Sequence, residues 1–280
     1  LKPEAINAMR ESFGLTNDPI LVQYTSYLKG IFQGELGTSI AYFPEPVSEI
    51  IGRGLYWTIF LAGSSMIIAF TIGTTLGIII AWNRTGRLDT FLPPALAFFG
   101  AFPYFWLAMV FLYIFGFSMN WFPIGRAYGN EINPGLNLPF LSSALYHAFL
   151  PALTLVFVSL GGWMLSMRNT MISTLGSDYI TFANAKGIPS RLIMLRYAAR
   201  NAILPNLTGF GMALGFMLSG ALLTEMIFSY PGQGFLLLQA VTSQDYPLMQ
   251  GIFMTITFAV LGANWLVDIA ILFLDPRTRK

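Results

Sequence analysis

Long apolar runs separated by short polar segments dominate the chain. An α-helix needs about 20 largely apolar residues to cross the hydrocarbon core of a bilayer. Five runs reach that length, over residues 55–82, 91–117, 144–167, 203–224 and 246–274. The first four contain no Asp, Glu, Lys or Arg, and the fifth contains Asp268 alone. The pattern predicts an all-α, polytopic membrane protein with five transmembrane helices.

The composition agrees with this prediction. Of the 280 residues, 55% are hydrophobic and 10% are charged, whereas about a quarter of the residues of a soluble domain are charged. The chain has no cysteine and one histidine, His147, so disulfides, thiolate metal sites and clusters of histidine ligands are excluded and no metal site is predicted. In the first span, Gly73 and Gly77 have the spacing of helices that pack closely against a neighbour.

Basic residues are unevenly divided between the loops. Ten of the 15 Lys and Arg residues lie in 83–90, 168–202 and 275–280. The alternate segments 118–143 and 225–245 hold Arg126 alone. Because loops rich in Lys and Arg stay in the cytoplasm, the first three segments, and with them the C-terminal tail, are predicted to be cytoplasmic. Five spans with a cytoplasmic C-terminus then place residues 1–54 on the extracytoplasmic side of the membrane. A further span upstream of Leu1 is therefore expected.

The segment from Ser177 to Leu207 interrupts the apolar pattern with a basic, helical stretch. Ser177 is a suitable N-cap for a short helix, and the sequence Gly187-Ile188-Pro189 ends that helix. Two interpretations remain open. The small residues Ala183 and Gly187 can form a seat for a protein partner, or the segment can lie on anionic lipid as a basic amphipathic loop. The residues alone favour the second interpretation, because basic loops are the default on the cytoplasmic side.

The same segment resembles the EAA loop of the integral-membrane subunits of binding-protein-dependent ABC importers. Ala183 and Gly187 match the strict pattern E-A-A-x-x-x-G. The segment is more similar to the dipeptide and oligopeptide branch of that family. That likeness rests on Asp178, Tyr179, Ile180, Ala183, Ala185, Lys186, Gly187, Arg200, Asn201 and Pro205.

Two further segments resemble the same branch. One is similar to the external pattern E-x-x-F-x-x-P-G-x-G followed by D-Y-P-x-x-Q-G, through Glu225, Phe228, Pro231, Gly232, Gly234, Asp245, Tyr246, Pro247, Gln250 and Gly251. The other is similar to the C-terminal pattern N-x-x-V-D followed by L-D-P-R, through Asn264, Val267, Asp268, Leu274, Asp275, Pro276 and Arg277. The resemblance therefore extends over nearly the whole chain.

The resemblance implies a type I ABC importer permease fold and ATP-driven import of peptides or related solutes. In that family a similar loop is a coupling helix that docks on a cytoplasmic ATPase. The residues implied for this contact are Asp178, Thr181, Phe182, Ala183, Asn184, Ala185, Lys186, Gly187 and Arg191. The external segment 225–245 is expected to face a solute-binding protein, as a re-entrant scoop. The residues implied there are Glu225, Phe228, Pro231, Gly232, Gly234, Asp245 and Tyr246.

The implied partners are a second homologous permease subunit, two cytoplasmic ABC ATPase subunits, an extracytoplasmic solute-binding protein and the bilayer of the inner membrane, with no nucleic acid. This chain has no G-x-x-x-x-G-K-[ST] phosphate-binding loop. ATP and Mg²⁺ are therefore expected on the partner ATPases, and this chain is expected to hold no cofactor and to be no enzyme. The solute stays open among dipeptides, oligopeptides, nickel chelates and oligosaccharides.

The roles of Asn264 and Asp268 in the last span, and two other classes of function for the whole chain, remain to be weighed. Asn264 and Asp268 lie four residues apart on one helix face, which favours an interhelix hydrogen bond over a role with substrate or protons. An ATP-independent secondary transporter or channel would prefer paired intramembrane charges or symmetry-related broken helices. A membrane enzyme would need a convergent set of catalytic side chains, for which one histidine and no cysteine leave little material.

Overall fold

The computed structural model describes residues 18–274, with side chains described except at 215–220, 267, 268 and 270–274. Over that range the chain is helical, and an isolated bridge between Thr38 and Pro46 is the only β-type pairing among the described residues. The predicted all-α class is therefore confirmed. The tail 275–280 and the Asp268 side chain lie outside the described residues.

The helices are numbered here in chain order. The first half of the chain forms α1 (Ile20–Gln33), α2 (Val47–Trp82), α3 (Arg87–Gly100), α4 (Tyr104–Ser118) and α5 (Leu138–Leu175). The second half forms α6 (Asp178–Ala185), α7 (residues 190–220), α8 (Leu222–Ile227), α9 (Gln233–Thr242) and α10 (Tyr246–Leu274). Three of them contain π-helical turns, at Ile59–Gly63, Leu112–Ser118 and Ile193–Ala199.

Within the described part of the chain, three helices are each long and apolar enough to cross a membrane: α2, α5 and the part of α10 up to Leu266. Two of them run well past the predicted spans, since α2 already begins at Val47 and α5 extends beyond Arg168. The fourth predicted span, 203–224, falls on α7, which ends at Gly220 before α8 begins.

The second predicted span, 91–117, is not one straight helix. It is divided between α3 and α4, whose axes differ by 96°. The break lies at Ala101-Phe102-Pro103, where Pro103 is the N-cap of α4. Proline lacks the N–H that would continue the α3 hydrogen-bond ladder, and it disfavours helical backbone at the residue before it. The pair is therefore either one broken span or a re-entrant loop.

The centre of the bundle is a close contact between α2 and α5. A Cβ atom added to Gly73 would lie 2.7 Å from the Trp163 Cβ atom, and one added to Gly77 would lie 2.7 Å from the Met164 carbonyl oxygen. The absence of side chains at these two positions lets the helix backbones approach each other, as their spacing predicts. This contact connects two apolar clusters at opposite ends of α2, about 50 Å apart at 1.5 Å per residue.

Candidate functional site

The short helix α6 is fixed to one end of the bundle by its buried face. Ile180 and Ala183 are each 3% exposed. They pack in one cluster with Met167 and Met171 of α5 and with Ile193 of α7. Because α6 contacts both long helices through close-packed side chains, a force applied to it is transmitted to α5 and α7 together.

This packing corrects the expectation that Ala183 offers a seat to a partner. Its side chain faces the chain's own core, because it lies on the inward face of α6 in the same buried cluster as Met171 and Ile193. The outward face of α6 and the turn after it carry the other predicted contact residues. Exposed there are Asp178, Thr181, Phe182, Asn184, Ala185, Lys186, Gly187 and Arg191. Phe182 stands out as a large aromatic side chain that is 69% exposed.

Gly187 ends α6 through its backbone conformation. Its φ is +69°, and a Cβ atom added there would meet nothing within 4 Å. The Gly187 N–H donates to the Asn184 carbonyl at 2.9 Å, and the Ile188 N–H donates to the Ala183 carbonyl at 3.3 Å. These bonds satisfy carbonyls at the helix end, and glycine adopts the left-handed conformation with the least strain. The residue is therefore needed for the turn and not for space.

Two polar contacts hold the same end of the bundle. The Asn201 amide donates to the Tyr179 hydroxyl at 3.2 Å, which links α7 to α6. Arg168 of α5 and Asp89 of α3 form a largely buried ion pair at 2.6 Å. The ion pair was not predicted, although Asp89 is the one acidic residue of the basic segment 83–90. Ser177 lies at the N-cap position, but its side chain makes no capping hydrogen bond.

At the opposite end, α8 and α9 form a hairpin around a buried carboxylate. Glu225 has no exposed surface. Its Oε2 atom accepts a hydrogen bond of 2.7 Å from the Gly234 N–H, and its carbonyl oxygen accepts one of 2.8 Å from the Tyr230 N–H. The turn between the two helices therefore closes over the Glu225 side chain.

The two glycines of the turn are required by close approach. A Cβ atom on Gly232 would lie 2.3 Å from the Glu225 carboxyl group, and one on Gly234 would lie 2.4 Å from the Leu222 carbonyl oxygen. The Glu225 carboxyl group and the Leu222 backbone thus occupy the space that side chains at these two positions would need. The two glycines of the P-G-x-G pattern in this chain are therefore explained by a lack of space for a side chain.

Gln233 fixes the hairpin on α2. Its N–H donates to the Thr58 hydroxyl at 2.8 Å, and its side-chain amide donates to the Ile51 carbonyl at 2.7 Å. A Cβ atom on Gly54 would lie 2.3 Å from the Leu236 side chain. None of these α2 residues was predicted to take part, because the sequence gives no sign of which span the hairpin contacts.

Burial perturbs the titration of this cluster, which lies in the connection between α7 and α10. It raises the pKa of Glu225 to about 7, although hydrogen bonds from Thr58 and Gly234 act in the opposite direction. Burial and the Glu225 charge also raise the pKa of Tyr230. Within the described structure, Glu225 Oε1, Gln233 Oε1 and the Tyr230 hydroxyl have no hydrogen-bond partner. Burial therefore favours a neutral Glu225 carboxyl at mildly acid pH.

Asp245 joins the hairpin to α10 and to the segment before α2. Its Oδ1 atom accepts from the Leu248 N–H at 3.1 Å, which caps the first turn of α10. Its Oδ2 atom accepts from the Ala41 N–H at 3.0 Å and from the Ser39 hydroxyl. A fully buried carboxylate thus satisfies donors from two parts of the chain 204 residues apart.

Most of the motif residues assigned to the external segment are internal to the hairpin, and the expectation that this segment faces a solute-binding protein stays a prediction. Glu225, Phe228, Gly232, Gly234 and Asp245 are buried, because they hold the hairpin together. Pro231 is partly buried, and Tyr246 is 61% exposed. Asn264 is partly buried, and the interhelix hydrogen bond predicted for the face that it shares with Asp268 stays a prediction.

Between the two ends, the described helices leave a cavity of about 560 Å³. It lies among α2, α4, α5 and α7, and its wall is largely apolar. Its polar side chains are Ser65, Tyr104, Ser159, Trp163 and Ser166. Among the described residues, no group of three or more His, Cys, Asp or Glu side chains could hold a metal ion.

Long apolar helices with an exposed short helix at one end and a folded hairpin at the other define a polytopic membrane protein. The family described as binding-protein-dependent transport system inner membrane component matches residues 73–280, and the chain belongs to that family. This confirms the family resemblance and the type I importer permease fold. The chain is a multi-pass inner-membrane component of such a transport system.

Two similar proteins extend this result to nearly the whole chain. The dipeptide transport system permease protein DppB of Alkalihalophilus pseudofirmus is 35% identical over 298 residues, covering 99% of this chain and 86% of that protein. The oligopeptide transport system permease protein AppB of Bacillus subtilis is 32% identical over 285 residues, covering 99% of this chain and 87% of that protein.

Proposed function

We propose that this chain forms part of the translocation pathway of an ATP-driven peptide importer. It would act with a second homologous permease, two cytoplasmic ATPases that bind ATP and Mg²⁺, and an extracytoplasmic binding protein. The names of similar permeases, which include dipeptide and oligopeptide transport proteins, support the solute class. The membership of the chain in a family of binding-protein-dependent transport components supports the partners.

The observation that carries the ATPase contact is the division of α6 into two faces. Ile180 and Ala183 are packed into the bundle, whereas Phe182 is 69% exposed beside Thr181 and Lys186. A large exposed aromatic side chain on a rigidly held helix is a suitable anchor for a protein partner. Closure of the ATPases would then move α6, and with it α5 and α7, as one unit.

The distribution of charge supports an orientation of the chain in the membrane. Lys186, Arg191, Arg196 and Arg200 lie at or near the α6 end of the bundle, so we place that end and the C-terminus in the cytoplasm. The hairpin of α8 and α9 then lies outside, where it can meet a binding protein. The cavity between the ends has a volume typical of small-molecule sites, about 300–1,000 Å³, and its serine hydroxyls can donate to peptide carbonyls.

A pair of phenylalanine variants tests the ATPase contact. Phe182→Ala removes the exposed anchor of α6, whereas Phe91→Ala removes a phenylalanine of similar exposure, 71%, from α3 at the same end. In proteoliposomes holding the complete importer, we expect Phe182→Ala to lower peptide-stimulated ATP hydrolysis and uptake about 10-fold, equivalent to about 1.4 kcal/mol of interface energy. Phe91→Ala should leave both rates within about twofold, a change of less than about 0.5 kcal/mol.

Three outcomes would contradict the proposal. Equal rates for the two variants would show that α6 is not the docking element. Uptake that continues without ATP but requires an ion gradient would show an ATP-independent transporter. Binding of the solute-binding protein to the importer must stay unchanged in parallel, since Phe182 is assigned to the ATPase side; a changed affinity would contradict that assignment.

A further inference from the structure

The helix α1 presents an apolar face that the described part of the chain does not bury. None of its residues from Ile20 to Gln33 is classed as buried. Ile20, Leu21 and Phe32 are 84%, 77% and 88% exposed. Apolar side chains exposed together to this extent mark a contact surface in a folded protein.

The apolar residues of α1 lie on one side of the helix. At 100° per residue, an arc of about 140° contains the seven large apolar and aromatic side chains. These are Tyr27, Ile20, Ile31, Tyr24, Leu28, Leu21 and Phe32. The opposite side carries Thr25, Ser26, Lys29 and Gln33, together with Val22. Lys29 is the only charged residue of the helix.

The structure places the end of α1 beside the ends of two spans. Gly34 ends the helix in the left-handed conformation, with φ of +82°. Three residues further on, the Gly37 carbonyl accepts from the N–H of Val47, the first residue of α2, at 3.0 Å. A Cβ atom on Gly37 would lie 4.0 Å from Pro247 in the first turn of α10. Since four residues span at most about 14 Å, the C-terminal end of α1 lies within about that distance of the first turns of both spans.

We propose that α1 lies along the surface of the bilayer, with Leu21 and Phe32 directed into the boundary between headgroups and acyl chains. Two features favour lipid over a protein partner. Tyr27 lies at one edge of the apolar arc and Tyr24 lies within it, and tyrosine is enriched at the membrane interface because its ring is apolar and its hydroxyl is polar. The end of α1 also lies four residues before Gly37, which is beside the first residues of α2 and α10, two helices long and apolar enough to cross a membrane.

The charge of α1 also determines the kind of membrane contact. A helix with one basic residue gains little from anionic lipid, at about 1 kcal/mol per Lys near the surface. Burial of its apolar side chains dominates, at about 25 cal/mol per Å². The contact is therefore expected to be independent of salt and of lipid charge. The orientation proposed above would place α1 on the outer leaflet of the membrane. That assignment rests on the proposed function, but the contact of α1 with lipid does not.

The absence of cysteine from the chain allows a direct test. Single variants Leu21→Cys and Phe32→Cys on the apolar arc, and Ser26→Cys and Lys29→Cys on the polar side, would be labelled with an environment-sensitive fluorophore. The complete importer would be studied in nanodiscs that contain lipids spin-labelled near the headgroup. We expect these lipids to quench positions 21 and 32 at least about threefold more than positions 26 and 29. Aqueous iodide should show the reverse order, in 50 mM and in 500 mM salt alike.

Other results would overturn the inference. Equal iodide quenching at all four positions would show that α1 stands in water. Protection at 21 and 32 that appears only on addition of the binding protein would show a docking surface for that protein. Protection from both quenchers, unchanged when nanodiscs are replaced by detergent, would show that another subunit covers the arc. Because none of these readings requires transport, they are independent of the proposed function.

Discussion

The two ends of the bundle use glycine for different physical reasons. At the α6 end, Gly187 has a positive φ and open space around it, and the residues before it form an exposed face. At the hairpin end, Gly232 and Gly234 have no room for a Cβ atom, and the residues around them are buried. One motif therefore shapes an exposed surface, and the other holds the chain together. A glycine in a sequence pattern therefore indicates a function only once its backbone conformation and the space around it are known.

The largest expected effect is at the hairpin. Gly234→Ala places a Cβ atom 2.4 Å from the Leu222 carbonyl oxygen, and backbone on both sides cannot move without breaking the bond to Glu225. We expect a loss of about 3 kcal/mol, at the upper end of overpacking effects, measured from the thermal unfolding of the purified complex. Gly52→Ala is the control, because a Cβ atom there meets nothing within 4 Å. A smaller loss for Gly234→Ala than for Gly52→Ala would refute the close-approach argument.

Next in size is a comparison of two alanines on α6. Ala183→Leu adds three carbon atoms inside the buried cluster that holds Met171 and Ile193, so we expect destabilisation of about 1–3 kcal/mol. Ala185→Leu adds the same atoms to the exposed face, where surface changes are usually within about 0.5 kcal/mol. Its effect should appear instead as weaker binding of the ATPase, measured by co-purification. If Ala183→Leu unfolds at the wild-type temperature, the inward placement of α6 is wrong.

Regular features of this fold follow from local sequence, whereas the contacts that orient them do not. The long apolar runs predict α2 and α5, and the spacing of Gly73 and Gly77 predicts their close contact. The inward position of Ala183 depends on Met171 of α5 and on Ile193 of α7, neither of which belongs to α6. The partners of Asp245 lie 204 and 206 residues away, and no pattern of period two or 3.6 carries that information.

A pH experiment separates the Glu225 carboxyl from the surrounding hydrogen bonds. Its folded-state pKa is raised to about 7, so between its usual value and pH 7 the folded chain binds more protons than the unfolded chain. Stability should therefore fall as the pH rises from 5 to 8, by about 2 kcal/mol. Glu225→Gln keeps an acceptor for the Gly234 N–H and should remove most of this slope.

The measurement is the unfolding temperature of both proteins at matched ionic strength. An equal slope for the two would assign the pH dependence to other groups. An opposite slope, with the wild type more stable at pH 8 than at pH 5, would mean that the carboxyl is ionised and stabilised in the folded state. In either case the hairpin would not be held by a neutral acid.

The smallest effect is expected at Gly187. Gly187→Ala forces a Cβ atom into a left-handed residue at a cost of about 1–2 kcal/mol, with no clash, since nothing lies within 4 Å. Gly187→Asn should cost less, because asparagine tolerates this conformation. A requirement for space at an ATPase contact would instead order the variants by size, with asparagine worse than alanine. The thermal unfolding of the isolated permease pair and the ATPase activity of the complete importer distinguish the two. If Gly187→Asn is less impaired than Gly187→Ala in both measurements, Gly187 shapes the end of α6 without itself lying in the ATPase contact.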